Sequence, residues 1–202
     1  MLCCYNKGCD SVKELPVRKP NRLKGYDYSQ NGRYFITICA KDQSELFSIV
    51  GAASCRPHND GMATHNDSMV THNTEIGNII ENEITILSSS YHGVSVDCFV
   101  IMPNHIHMII CINWADGGRQ DAAPTISQMI NQWKRAISIK VGRSVWQKSF
   151  HDHVIRNENE YIKIAEYIEN NPIRWKEDCF TQDKYLHPNP DKPCRGGILP
   201  PA

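Results

Sequence analysis

Two imidazoles stand one residue apart, His105 and His107, in the stretch DCFVIMPNHIHMIICIN at 97–113. Successive side chains of a strand leave opposite faces. His105, His107, Ile109 and Cys111 therefore share one face, and Ile106, Met108, Ile110 and Ile112 share the other. Two neighbouring imidazoles on a stiff strand make half of a divalent-metal site. The same spacing suits two hydrogen-bonded histidines at a strand mouth, and the pair alone does not separate these readings. A second titratable group, His151, Asp152 and His153, lies in VWQKSFHDHVI. It has acid–base capacity, and it equally fits the capped end of a strand. A third candidate lies in ENEYIKIAEYIENNP. At 100° per residue Tyr161, Ile164, Ala165 and Ile168 form one narrow stripe, so Tyr161 reads as packing. Tyr167 falls on the flank of that stripe, and Asn171, four residues on, lies almost above it. A rim phenol beside a carboxamide fits chemistry, and it also fits a half-buried tyrosine.

The elements that must position these groups follow from periodicity. Arg33–Ala40, RYFITICA, is β-branched and aromatic, a strand. Leu46–Val50 is a short extended piece. At 58–74 His58, His65 and His72 recur every seven residues, as do Asn59, Asn66 and Asn73. The unit is too short and too polar to bury a face, so a disordered loop is expected over 55–74. Next, Ile76, Ile79, Ile80, Ile84 and Leu87 form a helical stripe with Glu75, Glu81 and Glu83 off it, started by Asn73 or Thr74. Val94–Met102 is an apolar strand. Pro103-Asn104 turns it, and His105–Ile112 returns as the second strand of a hairpin. Thr125-Ile126-Ser127-Gln128 is a capping box opening a helix whose stripe is Ile126, Met129, Ile130, Trp133 and Ile137. Lys134, Arg135 and Lys140 lie off that stripe, a basic flank that is either solvated or lines a nucleic-acid groove. Val145–Ile155 reads as an extended segment with one more strand, and 158–170 as a helix stopped by Asn171-Pro172. Strand, helix, paired strands, helix, strand, helix is an α+β order. It implies a ferredoxin-like antiparallel sheet with helices packed on it.

The totals bound the rest. In 202 residues with net charge zero there is room for one domain, expected at 33–178, between an extended arm at 1–32 and an irregular tail at 179–202. No apolar run is long enough to span a bilayer, and MLCCYNKGCD lacks a signal-peptide core. Nine scattered cysteines, an odd number, fit a reduced cytoplasmic chain better than a disulfide scaffold. Neutral charge argues against a general nucleic-acid binder. The first 41 residues nevertheless hold eight Lys/Arg, including Arg18, Lys19, Arg22 and Lys24, against three acids. That excess is either a solvated tail or an arm that finds phosphates.

MPNHIH, then WQKSFHDHVIR, then EYIENNPIRW, in this order and spacing, resembles the REP-associated tyrosine transposases. These are a branch of the single-tyrosine HUH (His-hydrophobe-His) transposases. The resemblance spans roughly residues 34–176; the repeat at 58–74 and the tail after Cys179 depart from it. It implies an antiparallel sheet with the histidine pair on a central strand. It implies a divalent ion, Mg²⁺ or Mn²⁺, held by His105 and His107 with Asn171 as third ligand, and Tyr167 as nucleophile. The expected substrate is single-stranded DNA with a foldback hairpin, cut through a 5′-phosphotyrosine. His151, Asp152 and His153 become candidates for the base or for DNA contacts. Arg18, Lys19, Arg22, Lys24, Lys134 and Arg135 are expected on DNA, with Trp114, Trp146 or Trp175 able to stack on unpaired bases. A monomer or a homodimer fits equally. Two other readings stay open: a hairpin-DNA-binding protein without catalysis, and a small metallohydrolase or zinc protein using His105, His107 and the nearby HDH.

Overall fold

In chain order the elements are β1 (Gly32–Cys39), a 3-10 turn (Lys41–Gln43), β2 (Ser48–Ala52), β3 (Met69–Asn73), α1 (Glu75–Ser90), β4 (Val94–Ile101), β5 (His105–Ile112), α2 (Ile126–Val141), β6 (His151–Ile155) and α3 (Glu158–Asn170). The computed structural model describes residue 23 and residues 25–52, 69–114 and 124–175. Arg18, Lys19, Arg22 and Lys24, most of the expected arm, the tail and the repeat as far as residue 68 lie outside the described residues.

Four strands form one antiparallel sheet in the order β4-β5-β1-β6. Strand β1 pairs with β5 from Gly32↔Ile112 to Cys39↔His105, and with β6 from Arg33↔Ile155 to Thr37↔His151. This is the interleaved order of two split βαβ units, the ferredoxin-like arrangement expected from the sequence. The histidine strand β5 is central and paired on both edges, with one bulge in β4 between Val96 and Cys98. A one-residue slip would exchange its two faces, so its register is strongly specified.

The alternation along β5 sorts its side chains into two cores. Ile106, Met108, Ile110 and Ile112 are buried with Ile36 and Ile38 of β1, Ile80, Ile84 and Leu87 of α1, and Ile126, Met129, Ile130, Trp133 and Ile137 of α2. Ile109 is buried on the other face with Phe35, Val100, Met102, Ile155, and Ile164 and Ile168 of α3. Helices α1 and α2 therefore cover one face, and α3 covers the face that carries the histidines.

Two expectations are corrected. Met69–Asn73, the end of the repeat, is a strand in full register with β2, Ser48↔Asn73 to Ala52↔Met69. Its Met-Val-Thr run has the β-branched character that a polar repeat average conceals. The extended segment at 145–155 holds one strand, His151–Ile155, as expected. Before it, the chain follows the end of β1 by single bonds, Lys41 N–H to Val145 O at 2.8 Å and Gln147 N–H to Cys39 O at 2.9 Å. Lys134 is not part of an exposed flank. It is buried, and its ammonium donates to the carbonyls of Gln147 (2.7 Å) and Ser149 (3.2 Å). Burial pushes its pKa down, with Cys39 opposing. Glu83 is likewise buried, paired with Lys140 between α1 and α2.

Both helix starts are capped as read. The Thr74 side chain accepts from the Gly77 N–H, and Thr125 and Gln128 form the reciprocal capping box. Among the described residues no helix is long and apolar enough to cross a membrane.

Candidate active site on the histidine strand

His105 and His107 are fully buried on the α3 side of the sheet, ring centroids 4.5 Å apart. Each is held through Nδ1. The His105 Nδ1 lies 2.9 Å from Asn104 Oδ1. A carboxamide oxygen only accepts, so Nδ1 carries the proton and Nε2 the lone pair. The His107 Nδ1 lies 2.7 Å from the hydroxyl of Thr37, its cross-strand partner. Asn104 is itself fixed: its side-chain amide donates to Gln43 O at 3.3 Å, and its backbone carbonyl accepts from Ala40 N–H at 2.7 Å. Orientation of one ring nitrogen by an oxygen is how metal-ligating histidines are set.

Burial also fixes their charge. It pushes His105 down to about 3, against a smaller opposing effect of the Asn171 side chain. His107 is held well below its ordinary value, first by burial and then by His105 beside it. Both are neutral at pH 7 and keep their lone pairs.

The other wall comes from α3 and the turn after it. The Tyr167 hydroxyl lies 3.4 Å from His107 Nε2, and the ring stands edge-on to Phe35 at 6.3 Å between centroids. One turn on, Asn171 is buried at 2% exposure. Its carboxamide is near enough to act on His105, yet Oδ1 makes no hydrogen bond among the described residues. Trp175 closes the far side, 6.0 Å from the His105 ring.

Helix α3 is held at its start. Asn157 caps it by accepting from the Glu160 N–H. Glu160 binds His153 Nε2 at 2.6 Å and accepts from Arg156 N–H at 2.8 Å. Burial pushes the Glu160 carboxyl up, but these partners outweigh it and leave the pKa below the usual range. Arg33 pairs with Glu158 at 2.6 Å and lies 4.3 Å above the Tyr161 ring, so Tyr161 is a packing residue.

The HDH group does not act as one unit. His151 and His153 pair with Thr37 and Phe35 and so share the histidine face, whereas Asp152 pairs with Ile36 and belongs to the face of α1 and α2. His153 is engaged by Glu160. Among the described residues no three His, Cys, Asp or Glu side chains converge as metal ligands. The polar groups that meet there are two imidazoles and a carboxamide.

Other basic and aromatic candidates separate in the same way. Arg135 is exposed on α2, whereas Lys134 is consumed internally. Trp146 is core, and Trp114 donates its indole N–H to Ser29 O at 2.8 Å; only Trp175 borders the histidines. Sequence reasoning missed Thr37 and Asn104 as supports. The available signals were a lone polar residue in an apolar strand and a carboxamide directly before His105.

The site is thus a buried His-x-His pair on the central strand of a split βαβ sheet, under a helix bearing a tyrosine. A solved REP-associated tyrosine transposase bound to a REP hairpin superposes with TM-score 0.50 at 18% identity, over 76% of this chain and 73% of that one. That likeness is one of fold. The chain belongs to one family with an uncharacterized protein of Haemophilus influenzae, 30% identical over 202 residues, which are 91% of this chain and 100% of that protein. A REP-associated tyrosine transposase of Escherichia coli is 29% identical over 79 residues, 39% of this chain and 44% of that protein. No protein-family model matches the chain.

Proposed function

We propose that this protein is a metal-dependent single-stranded DNA endonuclease and strand transferase that works at hairpin DNA, with Tyr167 as nucleophile. The observation that carries the reading is the Tyr167 hydroxyl 3.4 Å from His107 Nε2, with the buried Asn171 Oδ1 one turn away and unbonded among the described residues. Two oriented neutral imidazoles and a free carboxamide oxygen are a fitting donor set for a divalent ion, and His105, His107 and Asn171 would hold it. Mg²⁺ or Mn²⁺ there supplies positive charge that polarises the scissile phosphate.

The residues of the chain do the rest. Tyr167, fixed by Phe35 and by the helix, presents its oxygen at the rim of the histidine pair. A phenol ordinarily ionises near ~10, so its proton must leave as the oxygen attacks. The new bond joins the Tyr167 oxygen to phosphorus, and the bond to the 3′-oxygen of the preceding nucleotide breaks. That oxygen takes a proton and becomes a 3′-OH. The phosphotyrosine conserves the bond for rejoining when a 3′-OH attacks it. His151, on the same face across Thr37, is the proposed acceptor or DNA contact of the HDH segment. Arg18, Lys19, Arg22, Lys24 and exposed Arg135 are proposed to carry the DNA backbone beside the catalytic domain at 33–178. One tyrosine per chain makes one cut at a time, so a monomer cuts singly and a homodimer in pairs.

The test mixes the full chain with labelled single-stranded hairpin DNA in Mn²⁺ or EDTA and separates products under denaturing conditions. A Mn²⁺-dependent band shifted by one protein mass, lost in Tyr167→Phe and in His105→Ala, is expected. Hairpin binding without that band, over several hairpins, would establish a non-catalytic DNA-binding protein. Cleavage without a covalent band would make water the nucleophile and remove Tyr167 from the role.

A further inference from the structure

Beyond the histidines, the chain builds an open polar cleft of about 670 Å³ lined by Lys41, Asp42, Gln43, Ser144, Trp146, Gln147 and Lys148. Two segments form it. The Lys41–Gln43 turn leaves β1 directly after Cys39, the partner of His105, and the 144–148 stretch is bonded alongside it. We propose that this cleft seats one nucleotide of single-stranded DNA at the turn that supports Asn104, with Lys41 and Lys148 on its phosphates. The proposal rests on the reading of the site as a DNA-processing centre.

Four observations support it. The volume lies within the ~300–1,000 Å³ of ordinary ligand sites, enough for a nucleotide. Lys41 and Lys148 are exposed, and neither ammonium has an ion pair or a hydrogen bond among the described residues, so both charges are available. Gln147 and Asp42 supply the amide donor and acceptor and the carboxylate that can meet the edge of an unpaired base. Asp42 and Gln43 hold positive φ, 56° and 55°, a strained conformation for side chains of this kind that persists where surrounding structure enforces it.

The cleft is also wired to the site. Gln43 O accepts from the amide of Asn104, whose Oδ1 holds His105. A nucleotide that fixes the Lys41–Gln43 turn therefore fixes the support of His105. This gives the cleft a role in placing the strand and in setting the histidine at once.

The test measures binding of a fluorescent single-stranded hairpin oligonucleotide to the full chain over a series of salt concentrations. For single strands, log K falls with log salt by about 0.7 per phosphate contact. Lys41→Ala/Lys148→Ala is expected to flatten the slope by about 1.4, while Lys41→Arg/Lys148→Arg keeps it. Both lysines are exposed, so the fold is retained, which unchanged thermal melting verifies. An unchanged slope in the alanine pair, with the unaltered protein binding and forming its Tyr167 adduct, overturns the cleft and leaves the catalytic reading standing. If the unaltered protein neither binds nor forms an adduct, the catalytic reading fails and the cleft proposal falls with it.

Discussion

His105 and His107 are neutral because they are buried, and burial is also what gives their lone pairs a fixed direction. The oxygen on each Nδ1 completes that direction, from Asn104 for one ring and Thr37 for the other. Asn104→Ala is expected to lower Mn²⁺ affinity by about 10–100-fold, the usual cost of losing such a support, which calorimetric titration would register. Their neutrality also has a pH signature. An exposed histidine titrates near ~6.5, whereas His105 takes its proton only at about 3 and His107 well below its ordinary value. Between those limits the unfolded chain binds protons that the folded chain refuses. Stability is therefore full above about 6.5 and falls as pH drops toward about 3. Urea midpoints at pH 7 and pH 5 should differ in that direction, and less so in His105→Gln/His107→Gln. Equal midpoints at the two pH values in the unaltered protein would contradict the burial argument.

At the scale of the element, the helices are fixed by their ends more than by propensity. Thr74 caps α1 and also donates to Leu46 O (2.7 Å) and Phe47 O (2.9 Å), which ties the helix to the connection before β2. Gly77 allows that approach, because a Cβ there would collide with the Phe47 carbonyl. Gly77→Ala should cost about 1–3 kcal/mol through overpacking, although alanine is the better helix former, and a urea titration would detect it. A gain in stability would show that the contact relaxes freely. Thr125→Ala removes the capping box of α2 and should cost about 1 kcal/mol by the same measurement. On α3, the pairs Glu160–His153 and Glu158–Arg33 sit at the first turn, while Tyr167 and Asn171 sit at the last turn and just beyond it. Anchoring one end of the helix sets the angle at which the other end meets the histidines.

For the whole molecule, the central sheet separates two cores with different duties. Ile106 belongs to the face of α1 and α2, and Ile168 to the face of α3. Truncating either to alanine should cost about 2–5 kcal/mol. Only Ile168→Ala loosens the helix that carries Tyr167. Its adduct formation should therefore slow well beyond that of Ile106→Ala when both are compared at a temperature where both are folded. Equal rates would mean that the position of α3 does not limit the reaction.

The sequence by itself determined most of the elements, because those have a short-range cause. Alternation placed His105 and His107 on one face, the Thr125–Gln128 box started α2, and Asn171-Pro172 stopped α3. It also determined which faces are apolar, and hence the split between the two cores. Its errors were of one kind. Lys134 read as exposed because charge off an apolar stripe usually meets water, but here two carbonyls from 13 and 15 residues further along the chain cover it. Asp152 read with its flanking histidines because adjacency in sequence hides the reversal of faces along a strand. Met69–Asn73 of the repeat read as loop because a partner strand some twenty residues earlier was needed to order it. Only the tertiary structure decided that Thr37 meets His107, that Asn104 links His105 to the Lys41–Gln43 turn, and that Tyr167 lies at the imidazoles across 60 residues of chain. These contacts depend on pairing register and on the angle at which a helix crosses a sheet. Packing of the whole chain sets both, and no local spacing encodes them.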